Sequence, residues 1–202
     1  MLFAQAFECI AEGQEIAKGN LLMEFDFSSN ELGEKFIVKR GVWKVKDGVL
    51  SGNEIESEHH AASCHLIQET KNAIFEFRLK SSTDAMNFNV GFDPVKGELN
   101  KVGHIHAVSI TSKIVSMTVA GDKKSPKENP AARLGRAKLN LKNDTWYQVR
   151  LINIGDECRV SIDGKTLLVG KHPEIAVRKP AIIFRAFGEG IQVDDIRIWE
   201  IK

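Results

Sequence analysis

The side chains able to do chemistry in this sequence fall within short alternating runs. In 74–79, Phe75, Phe77 and Leu79 share one face of an extended strand, and Glu76 and Arg78 share the other. In 87–92, Phe88, Val90 and Phe92 share one face, and Asn87 and Asn89 the other. His104 and His106 stand two apart, so a strand would point both the same way. His65 lies opposite Cys64 and Leu66, and Arg185, between Ile183 and Phe187 on a late strand, is expected to point outward if those two lie in the core. If the runs 72–80 and 86–92 pair, as successive strands often do, His65, Glu76, Arg78, Asn87, Asn89, His104, His106 and Arg185 form one polar layer. Val108 and Ile110 share parity with the two histidines, so this placement needs a twist or bulge beyond them.

Such a layer suits a sugar. Guanidinium and amide groups bind hydroxyls in planar, directed geometry, and a carboxylate beside imidazoles can move protons. On this reading Glu76, His104 and His106 are catalytic candidates. His65, Arg78, Asn87, Asn89 and Arg185 are substrate-binding candidates. A glycosidase ordinarily needs two carboxyls flanking the bond, and only Asp93, at a strand end, joins Glu76. The alternatives are a glycan-binding module without acid–base chemistry and a structural or protein-interaction sandwich working through its basic loop. A zinc site at His65, His104 and His106 lacks a fourth ligand at a known spacing, so no metal is assigned. No cofactor is expected, apart from a structural calcium near Asp26 or Asp194 as a secondary possibility.

These groups need a scaffold of strands. The chain has 202 residues, 43% hydrophobic and 27% charged, which supports a packed core in one domain. Short β-rich runs recur with turns between them, including Asp47-Gly48, Asp163-Gly164 and Gly188-Glu189-Gly190. A short helical turn is expected over 172–177, and residues 121–136 read as a long basic loop broken by Pro126 and Pro130. The pattern predicts an all-β, two-sheet antiparallel sandwich over 21–202, preceded by a short N-terminal helix or extended segment over 1–20.

Composition narrows the partners. The formal charge is +1, so no global field draws in nucleic acid. No apolar run approaches the roughly 18 residues of a membrane helix. A saccharide is the expected partner, with no nucleic acid and no membrane insertion. Cys9, Cys64 and Cys158 match no metal or redox spacing and read as free thiols. Met1–Ala6 ends in an A-x-A pattern like an export cleavage site, without the basic and apolar regions that normally precede one. A periplasmic or secreted location is favoured over a cytoplasmic one.

Several segments carry a family resemblance. Phe25-Asp26-Phe27, Glu31-Leu32-Gly33 and Gly41-Val42-Trp43-Lys44-Val45-Lys46-Asp47-Gly48-Val49-Leu50 resemble the opening of the 3-keto-disaccharide hydrolase domain family. Thr145-Trp146-Tyr147, Val160–Lys165 and Val193–Trp199 resemble its closing strands. The likeness spans about residues 22–201 and implies a concanavalin A-like lectin/glucanase jelly roll, with hydrolysis of a glycoside or keto-sugar as the implied activity. The motifs are architectural. The family's central W-R, N-S-G-I, E-V-Q and L-Q-x-H-G segments are replaced by Asn87–Asp93 and Gly103–His106, so the chain resembles a divergent branch and no catalytic residue carries over by motif.

Overall fold

The computed structural model describes residues 16–84, 86–101 and 103–202. The expected helix over the first residues, and Cys9 with it, lie outside the described residues. In chain order the strands begin with β1 (Lys18–Phe25), β2 (Phe36–Arg40), β3 (Val42–Lys46), β4 (Val49–Asn53) and β5 (Ala62–Thr70). They continue with β6 (Ala73–Ser81), β7 (Asn87–Phe92), β8 (His106–Thr111), β9 (Ile114–Val119) and β10 (Ala132–Lys138). The last are β11 (Tyr147–Ile154), β12 (Glu157–Ile162), β13 (Lys165–Lys171), β14 (Lys179–Ala186) and β15 (Ile191–Ile201). Short 3₁₀ turns cover Glu56–Glu58 and Pro173–Ala176.

All the pairings are antiparallel and form two sheets. Sheet A runs β13-β12-β11-β6-β15-β4-β3, with β1 also on β15. Sheet B runs β10-β9-β8-β7-β14-β5-β2. Asp47-Gly48 and Asp163-Gly164 close the β3–β4 and β12–β13 hairpins with positive φ at both central residues, the backbone that a two-residue hairpin turn requires.

The apolar face of each sheet turns toward the other. Phe77 of sheet A meets Phe88 and Phe184 of sheet B at centroid distances of 5.9 and 5.7 Å, and Phe75 meets Phe92 at 5.2 Å. All five rings are buried. Removing a phenylalanine side chain from water is worth about 1.5–3 kcal/mol, so this aromatic layer is a major part of what joins the sheets.

Two sequence expectations are corrected here. First, β6 and β7 do not pair. β6 sits between β11 and β15 and β7 between β14 and β8, because the chain changes sheets between the end of β6 and the start of β7. Second, the basic loop expected over 121–136 ends in an edge strand, β10. Leu134 and Ala137 pack on the core, and a bulge between Arg133 and Gly135 breaks the alternation that would have marked the strand. Cys64 and Cys158 are free and buried.

Candidate functional site

Directly opposed residues of paired strands point to the same side of a sheet. Across sheet B the register opposes Arg40 to Ser63, Ser63 to Arg185, Arg185 to Asn89, and Asn89 to Ser109. It then opposes Ser109 to Ser116 and Ser116 to Arg136. Core residues flank the five central members along their strands, as Phe88 and Val90 flank Asn89 and Phe184 and Ala186 flank Arg185, and Arg40 and Arg136 join the row through their opposed serines. The row therefore lies on the outer face and crosses every strand of sheet B. At about 4.8 Å per strand it is about 29 Å long. None of its members is a carboxylate.

The row is most ordered around Arg185. Asp93 Oδ1, at the end of β7, contacts His104 Nδ1, and Arg185 Nη2 lies 2.7 Å from His104 Nε2. A carboxylate can only accept, so Nδ1–H donates to Asp93, and the guanidinium nitrogen lies against the same ring, 3.3 Å from Nδ1 as well. The chain carboxylate–imidazole–guanidinium thus fixes one tautomer of His104 and one position of Arg185. Gly91 makes that position available: a Cβ there would stand 2.9 Å from Arg185 Nη1. Burial pulls the Arg185 pKa down, with Asp93 opposing, but a guanidinium keeps its charge at any ordinary pH. Beside this group, burial lowers the pKa of His65, Asp93 pulls it up, and Lys39, Arg185 and His104 push it down, so the ring is neutral near pH 7. Asn89 Oδ1 is withdrawn from solvent and accepts no hydrogen bond among the described residues.

The structure brings together His65, Asn87, Asn89, His104 and Arg185 of the expected layer, all on the outer side of sheet B. Glu76 and Arg78 are elsewhere. They face out from sheet A, on the opposite side of the sandwich, because the two aromatic faces meet across the interior rather than side by side. Glu76 is occupied there. It accepts from Lys18 Nζ at 2.7 Å and Trp199 Nε1 at 3.2 Å, and its other oxygen is 3.3 Å from Arg150 Nε. Arg78 lies 3.3 Å from Asp195 and 3.6 Å from Asp194, with its guanidinium 4.7 Å from the centre of the Trp146 ring. Glu76→Gln is accordingly expected to lower unfolding free energy by about 1–3 kcal/mol, since it leaves a half-buried cation short of its counter-charge. Denaturant titration measures that loss, and any saccharide binding on sheet B should be unchanged in the same variant.

His106 is the second displaced candidate. It shares parity with Val108 and Ile110, and it points inward with them, stacked on Phe92 at 4.7 Å. Neither ring nitrogen has a partner among the described residues, and burial, with smaller contributions from Lys179 and His172, pushes its pKa down to about 3. His104 precedes the strand and faces out, so the two imidazoles cannot share a metal ion. Asp26 accepts from the backbone N–H and hydroxyl of Ser28, which lowers its pKa, and Asp194 and Asp195 are engaged with Arg78. Among the described residues no cluster of three or more His, Cys, Asp or Glu side chains is arranged to hold a metal.

The sequence reading passed over Arg40, Ser63, Gly91, Ser109, Ser116 and Arg136. Serines alternating with apolar residues look like any wet sheet face. Only the register across seven strands, which one strand's alternation cannot supply, lines them up.

No family model matches the chain, and no curated protein matches it in sequence. Solved structures do match in shape. A Bacillus subtilis protein described as having a galectin-like fold superposes with a TM-score of 0.72 at 12% identity, covering 93% of this chain and 99% of that one. The fold is a jelly-roll sandwich. A non-specific endo-β-1,3(4)-glucanase of family GH16 gives 0.66 at 10% identity, over 94% of this chain and 95% of its own. The carbohydrate-binding module CBM66 from Bacillus subtilis gives 0.59 at 8% identity, over 83% and 93%. At these identities the likeness speaks for the fold and leaves the 3-keto-disaccharide hydrolase resemblance without a family match. Among the described residues no helix is long and apolar enough to cross a membrane.

Proposed function

We propose that this chain is a glycan-binding module that holds its saccharide on the outer face of sheet B, across the row from Arg40 to Arg136. The observation that carries the reading is the Asp93–His104–Arg185 arrangement over Gly91, set in a row of amide and hydroxyl side chains. These groups offer fixed donors and acceptors at strand spacing, which is what a flat array of sugar hydroxyls needs. A carbohydrate-binding module and a glucanase on the same fold are consistent with it.

Binding is favoured over hydrolysis by the distribution of carboxylates. Glycoside cleavage ordinarily uses two carboxyls flanking the bond. Glu76 is on the far side of the molecule, Asp93 is turned to His104, and Glu69, further along β5, is held with Glu98 by Arg178. The module would act where polysaccharide is met, in the periplasm or outside the cell.

The test is a glycan array followed by affinity electrophoresis on polysaccharide gels, for the wild type and for Asn89→Ala and His104→Ala. Retarded migration of the wild type, relieved in both variants and with no sugar released from the substrate, is the expected result. Release of reducing sugar that depends on Asp93 or Glu76 would replace the binding module with an enzyme. An array without a single bound glycan would remove the proposal.

A further inference from the structure

The arginines of this chain divide by sheet. Arg78, Arg150, Arg159 and Arg197, all on sheet A, each have a carboxylate at 2.5–3.6 Å, and Arg178, in the loop before β14, has two. Arg40, Arg133, Arg136 and Arg185 all belong to sheet B strands, and among the described residues none contacts a carboxylate. On a chain with a formal charge of only +1, this leaves the outer face of sheet B with guanidinium groups that make no direct ion pair, Asp93 reaching Arg185 only across the His104 ring, while sheet A pairs its own.

Part of this has a structural explanation. β2 and β10 are the edges of sheet B, and cations on edge strands discourage pairing with another chain. That accounts for Arg40, Arg133 and Arg136 as far as it goes. It does not account for Arg185, on the central strand β14. Arg185 is half-buried and its protein partner is the His104 ring rather than a carboxylate. A guanidinium withdrawn from water is stabilised by an opposite charge, and its planar fork fits a carboxylate or a sulfate with two parallel hydrogen bonds. The side chain is already held in place by His104 and Asp93, so little freedom is lost when an anion arrives.

We propose that the outer face of sheet B selects acidic saccharides, with a carboxylate or sulfate ester of one sugar seated on Arg185 and neighbouring acidic groups met by Arg40 and Arg136. This rests on reading that face as the glycan site. Arg40 lies two strands from Arg185 and Arg136 lies four, about 10 and about 19 Å at strand spacing, so a ligand with acidic groups along its length meets more than one of them.

The probes are oligogalacturonides and the same oligomers with their carboxyls reduced, dextran sulfate beside dextran, and a single-stranded DNA oligonucleotide. Titration calorimetry reads the affinities. Acidic oligomers should bind about tenfold or more tightly than their neutral counterparts, and whether the carboxylate or the sulfate series binds better identifies the anion. Arg185→Ala should weaken acidic binding about tenfold to a hundredfold, the loss expected for hydrogen bonds to a charged group. Arg185→Lys should recover only part of it, because a point charge lacks the fork. Arg136→Ala should weaken longer oligomers more than short ones, and Arg159→Ala, on sheet A, should leave every affinity unchanged. Equal affinity for acidic and reduced oligomers would overturn the acid selectivity and leave the glycan site standing. Failure of every glycan, acidic and neutral, would overturn both. DNA bound as tightly as the acidic sugars would overturn the inference in favour of a general polyanion surface.

Discussion

His106→Leu is expected to make the protein more resistant to acid, and the wild type to lose stability steeply as pH falls from 6.5. The imidazole is fully buried with neither nitrogen bonded among the described residues, and its pKa is pushed down to about 3 from an ordinary 6.5. Above pH 6.5 the ring is neutral in both folded and unfolded chains, so it contributes no dependence on pH. Between 6.5 and about 3 only the unfolded chain binds the proton, and unfolding gains about 1.4 kcal/mol per pH unit. By pH 4 that is about 3 kcal/mol, a large share of the stability of an ordinary domain. Other groups titrate in this range, so the measurement is the difference between wild type and variant. Urea unfolding at pH 7.5, 6, 5 and 4 should give curves that diverge below 6.5 by about one proton's slope. Leucine also replaces two unsatisfied polar atoms with apolar ones of similar bulk, so the variant should be no less stable at pH 7.5. Parallel pH curves would mean that the ring finds a proton or a partner inside the fold.

The same residue shows what the sequence could and could not reveal. Alternation within each strand was legible: Phe75, Phe77 and Leu79 do face inward, and so do Phe88, Val90 and Phe92. Both Asp-Gly hairpins and the 3₁₀ turn near Pro173 were legible too, because turn chemistry is local. What alternation cannot encode is the sheet to which a strand belongs. Glu76 and Asn89 both point outward, yet from opposite sides of a sandwich, since the crossing between β6 and β7 carries no signature beyond a few polar residues. For His106 the parity of Val108 and Ile110 carried the answer. The appeal of two imidazoles two residues apart pulled the assignment toward the surface, and the apolar pattern won because burying Val108 and Ile110 outweighs keeping one neutral ring in water.

The division of charge has a further consequence for how the two faces should respond to substitution. On sheet A, Lys18, Arg150 and Trp199 converge on Glu76, and Arg78 and Arg197 on Asp194 or Asp195 and Glu24. Changes there disturb pairs that are already satisfied, so they should register in stability. On sheet B, Arg185 is held by His104 without a carboxylate of its own, and Asn89 Oδ1 accepts no hydrogen bond among the described residues. Changes there should register in ligand affinity and hardly at all in unfolding.

Gly91→Ala is the sharpest test of that contrast and is expected to fold normally while losing about tenfold in saccharide affinity. Gly91 lies in β7 without a positive φ, so alanine meets no backbone penalty, and in a strand it removes some of the unfolded chain's freedom. Its Cβ would stand 2.9 Å from Arg185 Nη1, too close to coexist with the present guanidinium position. The obstacle is the end of a long side chain, which swings aside at small cost, so the melting temperature should stay within a few degrees. Once displaced, Nη2 leaves His104 Nε2, and the carboxylate–imidazole–guanidinium chain is cut at its last link. Losing the contacts of a fixed guanidinium costs about 1.4 kcal/mol for each tenfold in affinity, which is within the range of one charged hydrogen bond. Nuclear magnetic resonance of the His104 ring would register the break directly, and calorimetry with the same saccharides would register its effect. A variant that binds as the wild type does, with the His104 resonances unmoved, would mean that the open space above Gly91 does not position Arg185.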